Sequence, residues 1–233
     1  MIRTIAICAA AFVAAASTPA FSQQRGNRAL ATVITAYEEM ARRYDPLTSA
    51  SEGDRAALRR LPDASRDAEL AQRTELAALK ARLERVPTRG LSSEDALNRS
   101  YLMRVIDQSI EGIDLDFGRA PISNGDGFFT FGDYLAYTTP IQSGDDAEAW
   151  IARLEAMPTY YRQSLANARR GVETGYTQPR IIVDRALATA RAQVETMEGT
   201  LLTPLMSMPE TIPAAQQEEY RDRARAVIRD QIL

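Results

Sequence analysis

Carboxylates are the side chains of this sequence whose numbers and spacing allow acid–base chemistry. Close pairs include Asp114 with Asp116 and Glu218 with Glu219. A pocket that raised the pKa of one member would give a general acid beside a general base. The chain carries 31 acidic residues, however, and in a helical protein such residues are mostly solvated surface charges. We therefore interpret both pairs as surface charges and assign no catalytic residue.

Metal ligands are scarce. The chain has no histidine, and its single cysteine, Cys8, lies near the amino terminus. Catalytic zinc sites most often include histidine, so we predict neither a catalytic zinc site nor a cofactor in this chain. Residues 122–133 partly match a calcium loop, but Ile122 stands where an acidic first ligand is needed. An Asn124-Gly125 turn is the favoured interpretation of that segment.

Residues 1–22 have the features of a secretory signal peptide. Arg3 supplies the positive charge, residues 5–16 the apolar region, and Ala20-Phe21-Ser22 a cleavage site with small residues. The apolar run is shorter than the roughly twenty residues that a membrane-spanning helix needs. We therefore expect export to the periplasm or medium, a mature chain that begins at Gln23, and no membrane span after cleavage. The mature chain would lack cysteine, so its stability must come from packing.

The charge composition bears on partners. The formal net charge is −3, so the chain lacks the basic surface typical of nucleic-acid binding. Lys80 is the only lysine among 28 basic residues. Arginine forks recognise carboxylates and other anions well, which is one interpretation of this bias. The simpler one, which we favour, is a coding bias with arginines solvated on helix faces.

Apolar residues recur at helical spacing along most of the chain, which predicts an all-α protein, a multi-helix antiparallel array. One helix is expected to end at Asp45-Pro46 and another at Pro87. Residues 91–95 (Leu-Ser-Ser-Glu-Asp) are a good start for the next helix, because a serine cap is followed by acidic first-turn residues. The inward residues predicted for that helix are Leu97, Tyr101, Val105, Ile106, Ile110 and Ile113.

The second half of the chain is divided by prolines. Asp145-Asp146 is expected to cap a helix that reaches Met157, and Pro158 to open another. Pro204, Pro209 and Pro213 predict a loop before a last helix that starts near Ala214.

Residues 169–187 predict a turn between two helices. Gly171 and Gly175 can adopt the left-handed conformation that ends a helix, and Pro179 suits a first helical turn. The most regular apolar stripe in the chain follows the turn. It consists of Val183, Leu187, Ala190, Val194 and Met197.

Residues 114–144 show no helical period and predict one long loop. The segment contains six aromatic residues, which argue against disorder. The aromatics from Phe128 to Tyr137 could line a substrate groove or pack the loop onto its own helices, and packing is the favoured interpretation.

Several blocks occur in a recognisable order. The central one has Arg170-Gly171, then Gly175, then residues 178–183 (Gln-Pro-Arg-Ile-Ile-Val) and a helix. Upstream blocks are Tyr44-Asp45-Pro46, Leu61-Pro62-Asp63 with Ser65, Leu91-Ser92, and residues 150–158. From about Leu30 to Leu233, the chain resembles the amino-terminal half of the bacterial family called domain of unknown function 885 (DUF885).

That resemblance implies more than the residues show by themselves. Family members are similar to helical zinc metallopeptidases in which a downstream His-Glu-x-x-His helix holds the metal and the general base. No counterpart of that motif occurs in residues 1–233. The resemblance therefore implies an exported helical part of a peptidase-like protein, with zinc expected only in a full-length member.

The last helical pattern reaches Ile232-Leu233 without a glycine, asparagine or proline exit. We therefore expect residues 23–233 to be an amino-terminal part cut at the carboxyl end. Such a part would be inactive alone, would lack the half that covers it, and would be prone to self-association. The alternative is a non-catalytic helical binding or scaffold protein of the cell envelope.

Overall fold

A computed structural model describes the backbone of residues 19–233 and the side chains of residues 27–233. Residues 1–18, which contain most of the predicted signal peptide, lie outside the described part. Residues 19–233 form eight α-helices with short turns and no β-strand, which confirms the predicted all-α array. The helices are α1 (Pro19–Tyr44), α2 (Pro46–Ser51), α3 (Arg66–Glu84), α4 (Ser93–Asp114), α5 (Phe131–Thr138), α6 (Gly144–Glu173), α7 (Arg180–Met206) and α8 (Ala214–Val227).

Helices α1, α3 and α4 pack around one apolar cluster. Leu30 and Met40 of α1 meet Leu76 and Leu83 of α3, and Ile106 of α4 closes the cluster. All five side chains are at most 2% exposed. Burial of each of these side chains stabilises the fold by about 1.5–3 kcal/mol. The apolar faces of α1, α3 and α4 therefore hold one another in place.

Helices α5 to α8 pack around a second cluster, and α6 supplies its centre. Trp150, Leu154 and Met157 are fully buried there. The Trp150 indole Nε1 donates a hydrogen bond to the carbonyl oxygen of Leu201 in α7, at 3.0 Å. The one polar atom of the indole is therefore satisfied inside the cluster, as a buried tryptophan requires.

Proline did not break α6. We expected one helix to end at Met157 and another to begin at Pro158, but a single 30-residue helix runs through both. Its N-cap is Ser143, whose hydroxyl accepts a hydrogen bond from the Asp146 amide, and not Asp145-Asp146. An internal proline costs a helix about 3 kcal/mol. Burial of Trp150 and Met157 on the same face outweighs that cost.

Two further boundaries differ for the same reason. Pro204 was expected to mark a loop, yet it is buried inside α7, which continues to Met206. The segment from residue 114 to 144 was expected to be one loop, yet it contains α5. Leu135 and Ala136 of α5 are buried in the second cluster. In both places tertiary packing overrides the local signal.

Two predicted inward residues of α4 point outward. Leu97 is 68% exposed and Tyr101 is 70% exposed. The buried residues of this helix are Leu102 and Ile106. The amino-terminal half of α4 therefore presents apolar side chains to solvent.

The turn after α6 forms as predicted, with a different task for each glycine. Gly175 has φ of +69°, and the Tyr176 amide donates to the Gly171 carbonyl at 2.8 Å, which is a Schellman ending. Gly171 itself is buried inside the helix. A Cβ there would lie 2.3 Å from the carbonyl oxygen of Arg119. Gly171 therefore allows another segment of backbone to approach, and only Gly175 ends the helix.

We predict that Gly171→Ala lowers the free energy of unfolding by about 1–3 kcal/mol, because the methyl group meets backbone that cannot move aside. Gly199→Ala is the matched control, since nothing lies within 4 Å of a Cβ at that helical glycine. The control should be stabilised by about 0.5–1 kcal/mol. Urea unfolding followed by circular dichroism measures both. Equal effects of the two substitutions would contradict the close approach at Gly171.

Candidate functional site

The two apolar clusters meet across a polar face of α6. Asp146, Arg153, Tyr160 and Asn167 follow each other at intervals of seven residues, so they share one side of the helix. Asp146, Arg153 and Asn167 are between 4% and 8% exposed. This polar face contacts the turn at Ala57–Arg59 and the turn at Phe117–Arg119.

Amide side chains fix the middle of this contact. Asn167 Nδ2 donates to the carbonyl oxygen of Ala64 at 2.7 Å, and Gln163 Oε1 accepts from the Ala64 amide at 3.1 Å. Gln163 also donates through Nε2 to Asp63 Oδ1 at 2.8 Å. These bonds place the segment before α3 on α6, because buried backbone groups need partners.

Asp116 binds α6 at the carboxyl-terminal end of the polar face. It accepts two hydrogen bonds from Arg170, from Nε at 3.0 Å and from Nη2 at 2.8 Å. Its backbone is left-handed, with φ of 53°. The hydrogen bonds from Arg170, together with the charges of Arg66 and Arg119, hold the pKa of the Asp116 carboxyl below its usual value.

Three of the four candidate acid–base carboxylates, Asp114, Asp116 and Glu218, are engaged in ion pairs. Asp114 accepts from Arg73, and that hydrogen bond lowers the pKa of its carboxyl. Glu218 lies 3.1 Å from the guanidinium of Arg225 and is exposed. A general acid at neutral pH needs a raised carboxyl pKa. Both members of the Asp114 and Asp116 pair have the opposite shift.

The residues that resembled a calcium loop form a tight turn. The Ser123 amide donates to the Asp126 carbonyl at 2.8 Å, and Gly125 has φ of +81°. Asp126 and Asp133 are committed to different partners, the Gly127 amide and Gln193 Nε2. Across the described residues, no three carboxylate, histidine or cysteine side chains are grouped to hold a metal ion.

The aromatic segment divides between packing and exposure. Phe131 stacks on Tyr160 with ring centroids 4.3 Å apart, and Phe129 is buried. Tyr134 and Tyr137 are 59% and 75% exposed. The segment therefore packs onto α6 through one set of rings and presents the other set outward.

A cavity of about 360 Å³ lies between α2, α5 and α6, at the amino-terminal end of the polar face. Leu47, Leu58, Leu135 and Pro140 form much of its wall. Its charged lining residues are Arg55, Asp146 and Arg153. The volume is within the range of about 300–1,000 Å³ that is typical of ligand pockets.

Arg153 was not singled out by sequence reasoning. It is one of 28 basic residues and has no distinctive neighbours in the sequence. The heptad spacing from Asp146 to Asn167 is the signal that could have found it, because residues seven positions apart lie on the same side of a helix.

The regular stripe on α7 is not covered in its amino-terminal half. Val183, Leu187 and Val194 are 42%, 47% and 62% exposed. The same stripe continues into Leu201 and Leu205, which are fully buried in the second cluster. One side of the exposed half packs on α5, and the rest faces solvent. We call Val183, Leu187 and Val194 the α7 face.

A membrane-spanning helix needs about twenty apolar residues. In the part of the chain that the structure describes, no helix combines the necessary length and apolarity.

We predict that Asp116→Asn lowers the free energy of unfolding at pH 7 by about 1–3 kcal/mol, the range for hydrogen bonds to charged groups. Asparagine tolerates the left-handed backbone, so the substitution acts by removing the charge and one of the two oxygens that accept from Arg170. A lowered carboxyl pKa stabilises the fold above the unfolded-state pKa of about 4, and this stabilisation disappears as pH falls through the folded-state pKa.

The difference between wild type and Asp116→Asn should therefore shrink as the pH is lowered below about 4. Urea unfolding across the pH range measures this difference. Asp114→Asn is the control, and it should change stability much less because its ion pair with Arg73 is exposed. A difference that stayed constant with pH would refute the role of the Asp116 charge.

Comparison with known proteins gives a family match. The family model described as bacterial protein of unknown function (DUF885) matches residues 46–233. Searches of curated proteins and of solved structures found no match. The matched residues begin after α1, later than the Leu30 expected from the sequence, and include the polar face, the cavity and the α7 face. They make up most of the 233 residues, and the chain therefore belongs to the DUF885 family.

Proposed function

We propose that the chain is the exported helical part of a peptidase-like protein, a support for a separate catalytic part and no peptidase by itself. The α7 face is the observation that carries this proposal. A regular apolar stripe that is buried at one end and open at the other is suited to further polypeptide. Resemblance of DUF885 proteins to helical zinc metallopeptidases supplies the activity.

The side chains of this chain support a role without catalysis. Asp114 and Asp116 are bound to arginines, and the sequence has no histidine. Zinc, which would polarise the peptide carbonyl and activate water, would be held by a His-Glu-x-x-His helix outside residues 1–233. This chain would contribute a helical wall, with α7 as the surface of contact.

We further propose that residues 1–22 direct export and are then removed. The supporting features are Arg3, the apolar run and the small residues around the cleavage site. Protein recovered from the periplasm should begin at Gln23 when its amino terminus is sequenced. Recovery with Met1 intact would refute this proposal.

A second candidate function is non-catalytic binding in the cell envelope. The buried Arg153 at the cavity favours it, because a buried arginine without a counter-ion among the described residues costs free energy and is not needed in a pure scaffold. In this alternative the α7 face would pair copies of the chain and would not receive a catalytic part.

The proposed docking can be tested in trans with a His-Glu-x-x-His segment from a full-length DUF885 protein. We predict that the wild-type chain binds this segment and that Leu187→Glu with Val194→Glu weakens binding at least tenfold, because two charges would be buried at the interface. Glutamate is a good helix former, so the double variant should keep the fold. Binding is measured by isothermal titration calorimetry.

The matched control is Leu97→Glu with Tyr101→Glu, which changes an exposed apolar patch on α4. It should bind like wild type. No binding by wild type, or equal loss in both double variants, would overturn the docking proposal. Concentration-dependent dimers that only the α7 variant abolishes would support the scaffold alternative.

Activity is a separate readout. The chain alone, with added zinc, should not cleave a mixed peptide library above the rate of a chelator-treated sample. Chelator-sensitive cleavage by the chain alone would show that its own carboxylates form a site, and would refute the proposed division of labour.

A further inference from the structure

Arg153 is a buried positive charge without a counter-ion among the described residues. Its residue surface is 4% exposed. The guanidinium makes one long hydrogen bond, from Nη2 to the Ala57 carbonyl oxygen at 3.4 Å, and its Nε has no partner. Arginine stays protonated in proteins, so the charge cannot be removed by losing a proton. Buried charges are normally paired, which makes this arrangement exceptional.

Two acidic residues at the cavity already have other partners: Asp146, which lines it, and Asp54, which lies between the lining residues Gly53 and Arg55. Asp146 lies 2.7 Å from an Arg55 nitrogen and accepts from the Ser143 hydroxyl at 2.8 Å. Asp54 accepts from the Ser49 hydroxyl at 3.0 Å and from the Ala56 amide. Burial lowers the pKa of the Arg153 guanidinium, and no neighbouring carboxylate offsets that effect.

The cavity beside Arg153 indicates what would complete the pair. Its charged lining residues are two arginines and one aspartate, so its net charge is +1 when Asp146 is ionised. Burial acts to raise the pKa of Asp146, but hydrogen bonds from Ser143, the Gln142 amide and Arg55 leave it below its usual value. Asp146 is therefore ionised at neutral pH and is neutralised by Arg55.

We propose that this cavity binds a monocarboxylate that carries a small apolar group, with the Arg153 guanidinium as the partner of the carboxylate. The planar fork of arginine matches the two oxygens of a carboxylate. Leu47, Leu58 and Leu135 provide apolar walls for the attached group. A single uncompensated charge suits a monoanion better than a phosphate, which carries more charge at neutral pH. This site is independent of the α7 face and goes beyond the proposed function.

Two sources have the required chemistry, a free small acid and the carboxyl terminus of a peptide. N-acetyl-leucine represents the first and N-acetyl-Ala-Ala-Leu the second. Each is compared with its carboxamide, which has the same shape without the charge. Inorganic phosphate is the third probe. Binding to the full chain is measured by titration calorimetry and by the shift in thermal unfolding temperature.

We expect one or both acids to bind and to raise the unfolding temperature, with both amides at least tenfold weaker and phosphate without effect. Preference between the two acids identifies the source. Arg153→Met should abolish binding and raise the stability of the ligand-free chain, since it replaces an unpaired buried charge by an apolar side chain of similar length. If Arg153 had only a structural role, this substitution would lower the stability of the chain.

Arg169→Gln is the control, because Arg169 is an exposed arginine on the same helix, and it should bind like wild type. Ala50→Phe fills the cavity without changing Arg153, and it should weaken binding at least tenfold. This second variant keeps the test decisive if Arg153→Met does not fold. Equal binding of acid and amide, unchanged binding in both cavity variants, or stronger binding of phosphate would overturn the proposal.

Discussion

The rest of the structure depends on the burial of α6 on two sides with different chemistry. Trp150, Leu154 and Met157 lie in the second apolar cluster. The polar face, from Asp146 to Asn167, meets the segments that lead into α3 and out of α4. Apolar burial supplies most of the stability, whereas hydrogen bonds to specific backbone groups determine how the two clusters are placed relative to each other.

This division explains where function can be located. A polar contact between two apolar clusters must satisfy each buried donor and acceptor, because an unsatisfied one is costly. Asn167 and Asp116 meet that requirement with protein partners. Arg153 does not, and it lies beside the cavity. Arg119 Nε also has no hydrogen-bond partner, but Arg119 pairs with Asp116, whereas Arg153 has no counter-ion among the described residues.

Sequence patterns predicted where helices form better than they predicted which helix residues are buried. The carboxyl ends of α1 and α3 and the serine cap of α4 lie close to where the sequence placed them, because prolines and capping residues act locally. The stripe of α7 was also predicted as a helix, yet half of it is uncovered. Periodicity shows that a face is apolar but does not show what covers it. For the same reason, Leu97 and Tyr101 of α4 were predicted to face inward but are exposed.

The sequence by itself determined the all-α class, the Gly175 turn and the family resemblance, since helical period, left-handed glycine and ordered blocks are local properties of the chain. Only the tertiary structure decided that α6 and α7 pass through Pro158 and Pro204, because packing offsets the lost hydrogen bonds. It also decided the tasks of Gly171 and Arg153. Each depends on atoms far away in the chain, the Arg119 carbonyl for Gly171 and the cavity walls for Arg153, and no local pattern encodes such distances.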